Sequence, residues 1–209
     1  MMVSLQENND DLCLPLVEEF YSIQGEGCNT GKAAYFIRVG GCDIGCSWCD
    51  TKYSWNADMH PMVDIGVIAG NVTAAGADSV VVTGGEPLMW NMSPLCDLLK
   101  QKGISTYLET SGAYPLSGTW DWITLSPKKG FLPMPEIWLM ADELKVIVED
   151  GTDFEAAEEY RKMVTGKCRL LLQPEWSRYT AMIAEITEYV KKHTYWTVSL
   201  QAHKFMHIP

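Results

Sequence analysis

Three cysteines within eight residues, Cys42, Cys46 and Cys49, are the side chains best suited to chemistry in this 209-residue chain. They stand at C-x3-C-x2-C spacing in the run Cys42-Asp43-Ile44-Gly45-Cys46-Ser47-Trp48-Cys49-Asp50-Thr51. Thiolates are soft ligands that suit iron–sulfur clusters or zinc. A four-iron cubane is ordinarily held by four cysteines. Three local thiolates would leave one iron free, and an open coordination position is where a metal does chemistry. The spacing alone also allows a zinc knuckle with a distant fourth ligand, or three packing cysteines.

Other residues could join such a centre. Arg38 is a charge inside the apolar run Ala33 to Val39. A buried guanidinium needs a partner: a substrate carboxylate held bidentately, or an internal ion pair with Glu26 or Glu109. Gly84 and Gly85, in Thr83-Gly84-Gly85-Glu86-Pro87, expose backbone groups to a ligand amine, and Glu86 either orients that loop or caps a helix. Thr51 offers a hard oxygen for magnesium, or caps a turn. Trp48, Trp55 and Trp90 could stack on planar rings or fill core. His60, His193 and His207 read as surface or core residues, and Asp142-Glu143 and Glu158-Glu159 as solvated or structural charges.

The elements that must position these groups alternate between strand and helix, the pattern of an α/β fold with a mostly parallel sheet. Strands are expected at Leu16–Ile23 and near 33–39, 79–83, 104–109, 122–125, 144–148, 169–173 and 196–200. Helices fit near 64–76, 91–102, 153–164 and 178–192; the last carries Met182, Ile183, Ile186, Tyr189 and Val190 on one face. Residues 1–14 read as a flexible tail and 15–209 as one domain, with 126–135 a proline-rich loop. Polar clusters follow six strands: Gly40-Gly41-Cys42, Thr83–Pro87, Glu109–Gly112, Ser126–Lys128, Gln173-Pro174 and Gln201–Lys204. In parallel α/β folds that edge carries the active site. The glycine-dense Gln24-Gly25-Glu26-Gly27, with Gly31, reads as a hairpin turn that doubles as a binding loop.

Composition sets the class. Hydrophobic residues make up 47% and charged residues 21%, as in an ordinary globular domain. A net charge of −11 argues against nucleic acid, which would need a basic face. No 18-residue apolar run suggests a membrane span, and the polar, acidic start does not read as a signal peptide. Seven cysteines, three of them clustered, suit a reducing cytoplasm rather than a disulfide framework. Cys13, Cys28, Cys96 and Cys168 are expected to be packing residues, with Cys28 an extra thiol in a motif loop.

The cysteine spacing resembles the radical S-adenosylmethionine (SAM) superfamily, and the set of motifs narrows the resemblance. Ser22-Ile23-Gln24-Gly25-Glu26-Gly27, Phe36-Ile37-Arg38, the cysteine run ending Cys-Asp-Thr, and Thr-Gly-Gly-Glu-Pro resemble the 7-carboxy-7-deazaguanine synthase family. So do Glu-Thr-Ser-Gly, Leu-Ser-Pro-Lys, Glu-Leu-Lys-Val, Leu-Leu-Gln-Pro and the ending Gln-x-His-Lys with Ile208-Pro209. The resemblance runs from about residue 16 to the last. It implies a compact partial (β/α) barrel and a ring-contracting lyase of 7-deazapurine (queuosine) biosynthesis. That lyase converts 6-carboxy-5,6,7,8-tetrahydropterin to 7-carboxy-7-deazaguanine plus ammonia. Cys42, Cys46 and Cys49 would hold a [4Fe–4S] cluster. Trp48, Cys49, Asp50, Gly85, Ser126, Pro127, Lys128 and Gln173 would bind SAM. Ile23, Gln24, Gly25, Arg38, Thr83 and the Pro209 carboxylate would bind the pterin, and Thr51 magnesium. A tag after Pro209 would then reduce turnover and leave the cluster intact. The resemblance further implies a homodimer and an electron donor such as flavodoxin or ferredoxin. The rival readings are another radical SAM enzyme, such as a glycyl-radical activase, and a non-catalytic iron–sulfur or zinc module. The first should lack the Gln-Gly-Glu-Gly loop and the proline-terminated tail; the second leaves the polar edge unexplained.

Overall fold

A computed structural model describes residues 12–209. Among the described residues, nine strands form one sheet in the order β3-β1-β2-β4-β5-β6-β7-β8-β9. They are β1 (Cys13–Ile23), β2 (Ala33–Val39), β3 (Met62–Asp64), β4 (Ser79–Gly84), β5 (Ser105–Thr110), β6 (Trp122–Leu125), β7 (Glu143–Val148), β8 (Arg169–Pro174) and β9 (Trp196–Val198). Pairing is parallel from β2 through β9. Only β1 runs antiparallel, to β2 on one side and to β3 on the other. The helices are α1 (Ile65–Ala74), α2 (Ser93–Gln101), α3 (Pro135–Met140), α4 (Asp153–Arg161), α5 (Tyr179–Lys192) and α6 (Ala202–Met206).

The sheet does not close through strand pairing, because β3 and β9 are both edges. Its ends still meet above the strands. The β1–β2 loop reaches the segment after β9: Ala202 N donates to Gly25 O at 2.8 Å, and Gly27 N to Ser199 Oγ at 3.1 Å. The result is the expected partial barrel, bridged at its mouth by loop contacts.

Side-chain alternation along the strands builds two environments. Val80 and Val82 of β4, Leu108 of β5, Leu144, Val146 and Val148 of β7 and Leu172 of β8 are buried in two apolar clusters against the helices. Their neighbours Val81, Thr83, Glu109, Lys145, Ile147 and Gln173 face the barrel interior. That alternation explains how a lysine and a carboxylate fit strands that read as apolar.

The structure moves several boundaries. The strand expected from Leu16 begins at Cys13, where Leu14 is buried and β1 turns to pair with β3. Those residues therefore do not belong to a tail; the rest of the expected tail, residues 1–11, lies outside the described residues. The last strand stops at Val198, and Ser199 turns into the interior to donate to Gln173 Oε1 at 2.7 Å. Pro135 opens α3 directly after the proline-rich loop, since proline suits the first helical turn. Cys28 is exposed rather than a packing residue, whereas Cys96 and Cys168 are buried.

Candidate active site

The cysteine loop is fixed at its root by backbone bonds from both sides. Gly41 N donates to Ser54 O at 2.7 Å, Cys42 N to Trp55 O at 3.0 Å and Glu86 N to Gly41 O at 2.8 Å. Trp90 lies beneath, its Nε1 donating to Gly40 O at 2.8 Å, so this tryptophan is a support and not a stacking platform. Gly41 holds φ +102°, a region open to glycine. Gly85 packs so closely on the loop that a Cβ there would run into Gly41 O and lie 2.8 Å from Cys42 Cβ. The Gly-Gly turn after β4 is thus built to let the cysteine loop approach.

Glu86 both caps and ties. Its carboxylate accepts from Leu88 N at 3.1 Å, as a helix cap does, and from Thr110 Oγ1 at 2.6 Å and Ser111 N at 2.8 Å. It locks the turn after β4 to the turn after β5. The two roles weighed from the sequence are both present.

A cavity of about 350 Å3 opens above this loop. All six polar clusters at the strand ends contribute to its wall. Cys42, Cys46, Trp48, Cys49, Asp50, Thr51, Gly85, Ser126, Lys128 and Gln173 line it, with Ile23, Gln24, Gly25, Arg38, Thr83 and Pro209. Trp55 lines it too. Pro127 faces a second cavity of about 280 Å3 behind the cysteine loop. Burial pushes the Cys42 and Cys46 thiols up from their ordinary value, and iron ligation would remove those protons.

The three cysteines carry no disulfide. Among the described residues no three His, Cys, Asp or Glu side chains gather around one point as ligands of a single ion. A cubane makes no such demand, since its thiolates bind different irons. Three free thiols on one short loop, a backbone cradle at Gly85 that admits no Cβ, and open space above them fit a cluster with one uncommitted iron. Thr51 Oγ1 lies 3.5 Å from Cys49 Sγ, at the rim of the same space.

Arg38 has an internal partner, but not one of the two expected. Its Nε is 2.7 Å from Glu18 Oε1, across the β1–β2 pair, and Tyr53 OH donates to the same oxygen at 3.1 Å. Only Nε is engaged there, so the rest of the guanidinium can meet a ligand in the cavity that Arg38 lines.

Glu26 and Glu109 are instead joined by Lys145, which the sequence did not single out as a site residue. Lys145 Nζ is 2.6 Å from Glu26 Oε2 and 2.9 Å from Glu109 Oε2, and the lysine is 4% exposed. Burial would lower the ammonium's pKa, but Glu109, Glu26 and Glu143 outweigh it and hold the cation. Burial also raises Glu26, yet the charge of Lys145 and hydrogen bonds from Lys145, Gln173 and Gln201 bring it to about 2. Glu109 goes the other way. Burial, Glu143 and Glu26 overcome Lys145 and push it up to about 7. One cavity wall therefore carries a fixed anion, a fixed cation and a carboxyl able to exchange a proton near neutrality. The only sequence signal was a lysine inside Glu-Leu-Lys-Val, a charge in a buried strand like Arg38 in its own.

The motif-bearing part of the chain matches a known family. Residues 23–163 match the family described as a 4Fe-4S single cluster domain. The 7-carboxy-7-deazaguanine synthase of Flavobacterium psychrophilum is 53% identical, over 94% of this chain and 93% of that protein. The enzyme of the same name from Synechocystis is 46% identical, over 92% of each, and that of Escherichia coli K12 is 34% identical, over 93% and 98%. The crystal structure of QueE from Escherichia coli superposes with a TM-score of 0.81 at 30% identity, over 95% of this chain and all of that one. The chain belongs to the 7-carboxy-7-deazaguanine synthase family of radical SAM enzymes.

Proposed function

We propose that this enzyme converts 6-carboxy-5,6,7,8-tetrahydropterin to 7-carboxy-7-deazaguanine with loss of ammonia. The observation that carries the reading is the convergence, in one cavity, of the three-cysteine loop with Arg38 and the Glu26–Lys145–Glu109 wall. When bound, the cluster and SAM supply the radical that starts the reaction. Cys42, Cys46 and Cys49 hold the cluster. Backbone at Trp48, Cys49 and Asp50, with Gly85, Ser126, Pro127, Lys128 and Gln173, holds SAM. Arg38 takes the substrate carboxylate through the nitrogens Glu18 leaves free. Ile23, Gln24, Gly25, Thr83 and Pro209 frame the pterin ring, and Thr51 takes a magnesium ion. Glu109, with its carboxyl near neutrality, is placed to receive or return a proton as the ring contracts. A cytoplasmic homodimer served by flavodoxin or ferredoxin belongs to the same reading.

The test is an anaerobic assay of the reconstituted protein with SAM, reductant, magnesium and 6-carboxytetrahydropterin, read by mass spectrometry. Formation of 7-carboxy-7-deazaguanine only in the complete mixture is the expected result. SAM cleavage without that product would reject this substrate, and a protein that binds no iron would return the cysteines to a structural role. A glycyl-radical activase would cleave SAM and leave the pterin untouched.

A further inference from the structure

We propose that Lys204 is a positioning residue that latches helix α6 across the mouth of the cavity onto the cysteine loop. This inference rests on the reading that the cavity holds the reacting substrate. The helix has only five residues, too few to hold position by its own hydrogen bonds. Contacts to three separate loops hold it in place. Ala202 N donates to Gly25 O at 2.8 Å in the β1–β2 loop. Phe205 packs edge-on against Trp176, with ring centroids 5.3 Å apart, beyond β8. The third tie is Lys204, whose Nζ is 2.8 Å from Asp50 Oδ2, one residue past Cys49.

The ammonium is aimed by several partners at once. It also donates to Gln201 Oε1 at 3.0 Å and sits 4.9 Å from the centre of the Trp176 ring. Gln201 in turn donates to Glu26 Oε1 at 2.9 Å and approaches Asp50 Oδ2 at 3.5 Å. A continuous chain therefore runs from the anion of the cavity wall, through α6, to the loop that carries the cysteines. The Lys204 side chain is 19% exposed and that of Asp50 56%. A pair this open to solvent is weak, and a closure that must release to admit substrate needs a weak tie. The latch would hold α6 over the Asp50 side of the cavity and slow the entry of water to the reacting centre.

The experiment compares Lys204→Met, which keeps the stem on Trp176 but removes the charge, with Lys204→Arg, which restores it. Both are reconstituted, and equal iron content confirms that the cysteine loop is intact. Hydrogen exchange of the amides in 202–208 is expected to quicken about two- to fivefold in K204M, the range for an exposed ion pair, and to return toward the unmodified rate in K204R. With SAM, reductant and the pterin, K204M should also release more 5′-deoxyadenosine per product molecule, by a similar factor. Unchanged exchange in K204M, or a K204R as fast as K204M, overturns the latch. If the unmodified protein makes no 7-carboxy-7-deazaguanine, the substrate reading fails, and the exchange measurement still decides the latch.

Discussion

Replacing Lys145 by methionine isolates the electrostatics of the cavity wall, because the stem volume is nearly kept while the charge goes. Glu26 is held at about 2 instead of its ordinary 4.5. At about 1.4 kcal/mol per pH unit this corresponds to roughly 3 kcal/mol of stability, in line with the ~3–5 kcal/mol cost of breaking a buried ion pair. The sign follows from the direction of each shift. The Glu26 contribution is fully present above pH 4.5 and is lost as pH falls through 2. Glu109 sits at about 7, raised, so its ionisation weakens the fold as pH rises from 4.5 to 7, and the penalty is constant above that. Without Lys145, Glu26 loses the largest cause of its low value, keeping only the bonds from Gln173 and Gln201, and Glu109 is pushed higher still. The K145M deficit is therefore expected to be about 3 kcal/mol at pH 6, a fall in Tm of roughly 6–12 °C for a domain of this size. It should grow by about 1 kcal/mol between pH 7 and 8, where only the variant continues to resist ionisation. Thermal unfolding at both pH values, on preparations of equal iron content, measures this. A Tm loss under about 2 °C at pH 6, or a deficit no larger at pH 8, would refute the reasoning.

Three further outcomes are expected. Gly85→Ala, whose Cβ would meet the Gly41 carbonyl and Cys42, should displace the cysteine loop and cut the iron bound after reconstitution, while far-ultraviolet circular dichroism stays unchanged. Alanine at Cys42, Cys46 or Cys49 should each abolish retention of iron and sulfide through gel filtration, whereas Cys28→Ala, at an exposed thiol, should retain both. Glu158→Gln should cost roughly 1.5–3 kcal/mol at neutral pH. This carboxylate accepts from Trp196 Nε1 at 2.8 Å, Tyr189 OH at 2.9 Å and Arg161 Nε at 2.9 Å, tying α4 to α5 and β9. Burial raises its pKa, but those bonds and one from Tyr195 bring it to about 2, so the difference between the two proteins should vanish as pH falls from 4.5 through 2; denaturation midpoints at pH 7 and pH 3 check it.

How much of this was legible in the sequence depended on whether a feature was local. Strands such as Ala33–Val39 and Trp122–Leu125 are apolar runs bounded by turn or charged residues, and they stand where expected. The polar strand ends are local too, and a parallel array puts them on one edge, which is why the whole mouth could be outlined. Two short elements were not legible. Three-residue β3 and five-residue α6 are below the length at which a period shows, and both owe their existence to tertiary partners.

Pairings between distant residues were the least legible. Arg38 was rightly seen to need a partner, yet its choice of Glu18 is set by the β1–β2 register, in which Glu18 stands opposite Arg38. Register depends on where the hairpin turns, not on either residue. Once Glu18 takes Arg38, Glu26 and Glu109 are free for Lys145, which reaches both from β7 because it faces inward between Leu144 and Val146. The same alternation that makes a buried strand look featureless decides which of its residues meets the cavity. Charges flanked on both sides by apolar strand residues, as Arg38 and Lys145 are, stand here at inward-facing positions lining the cavity.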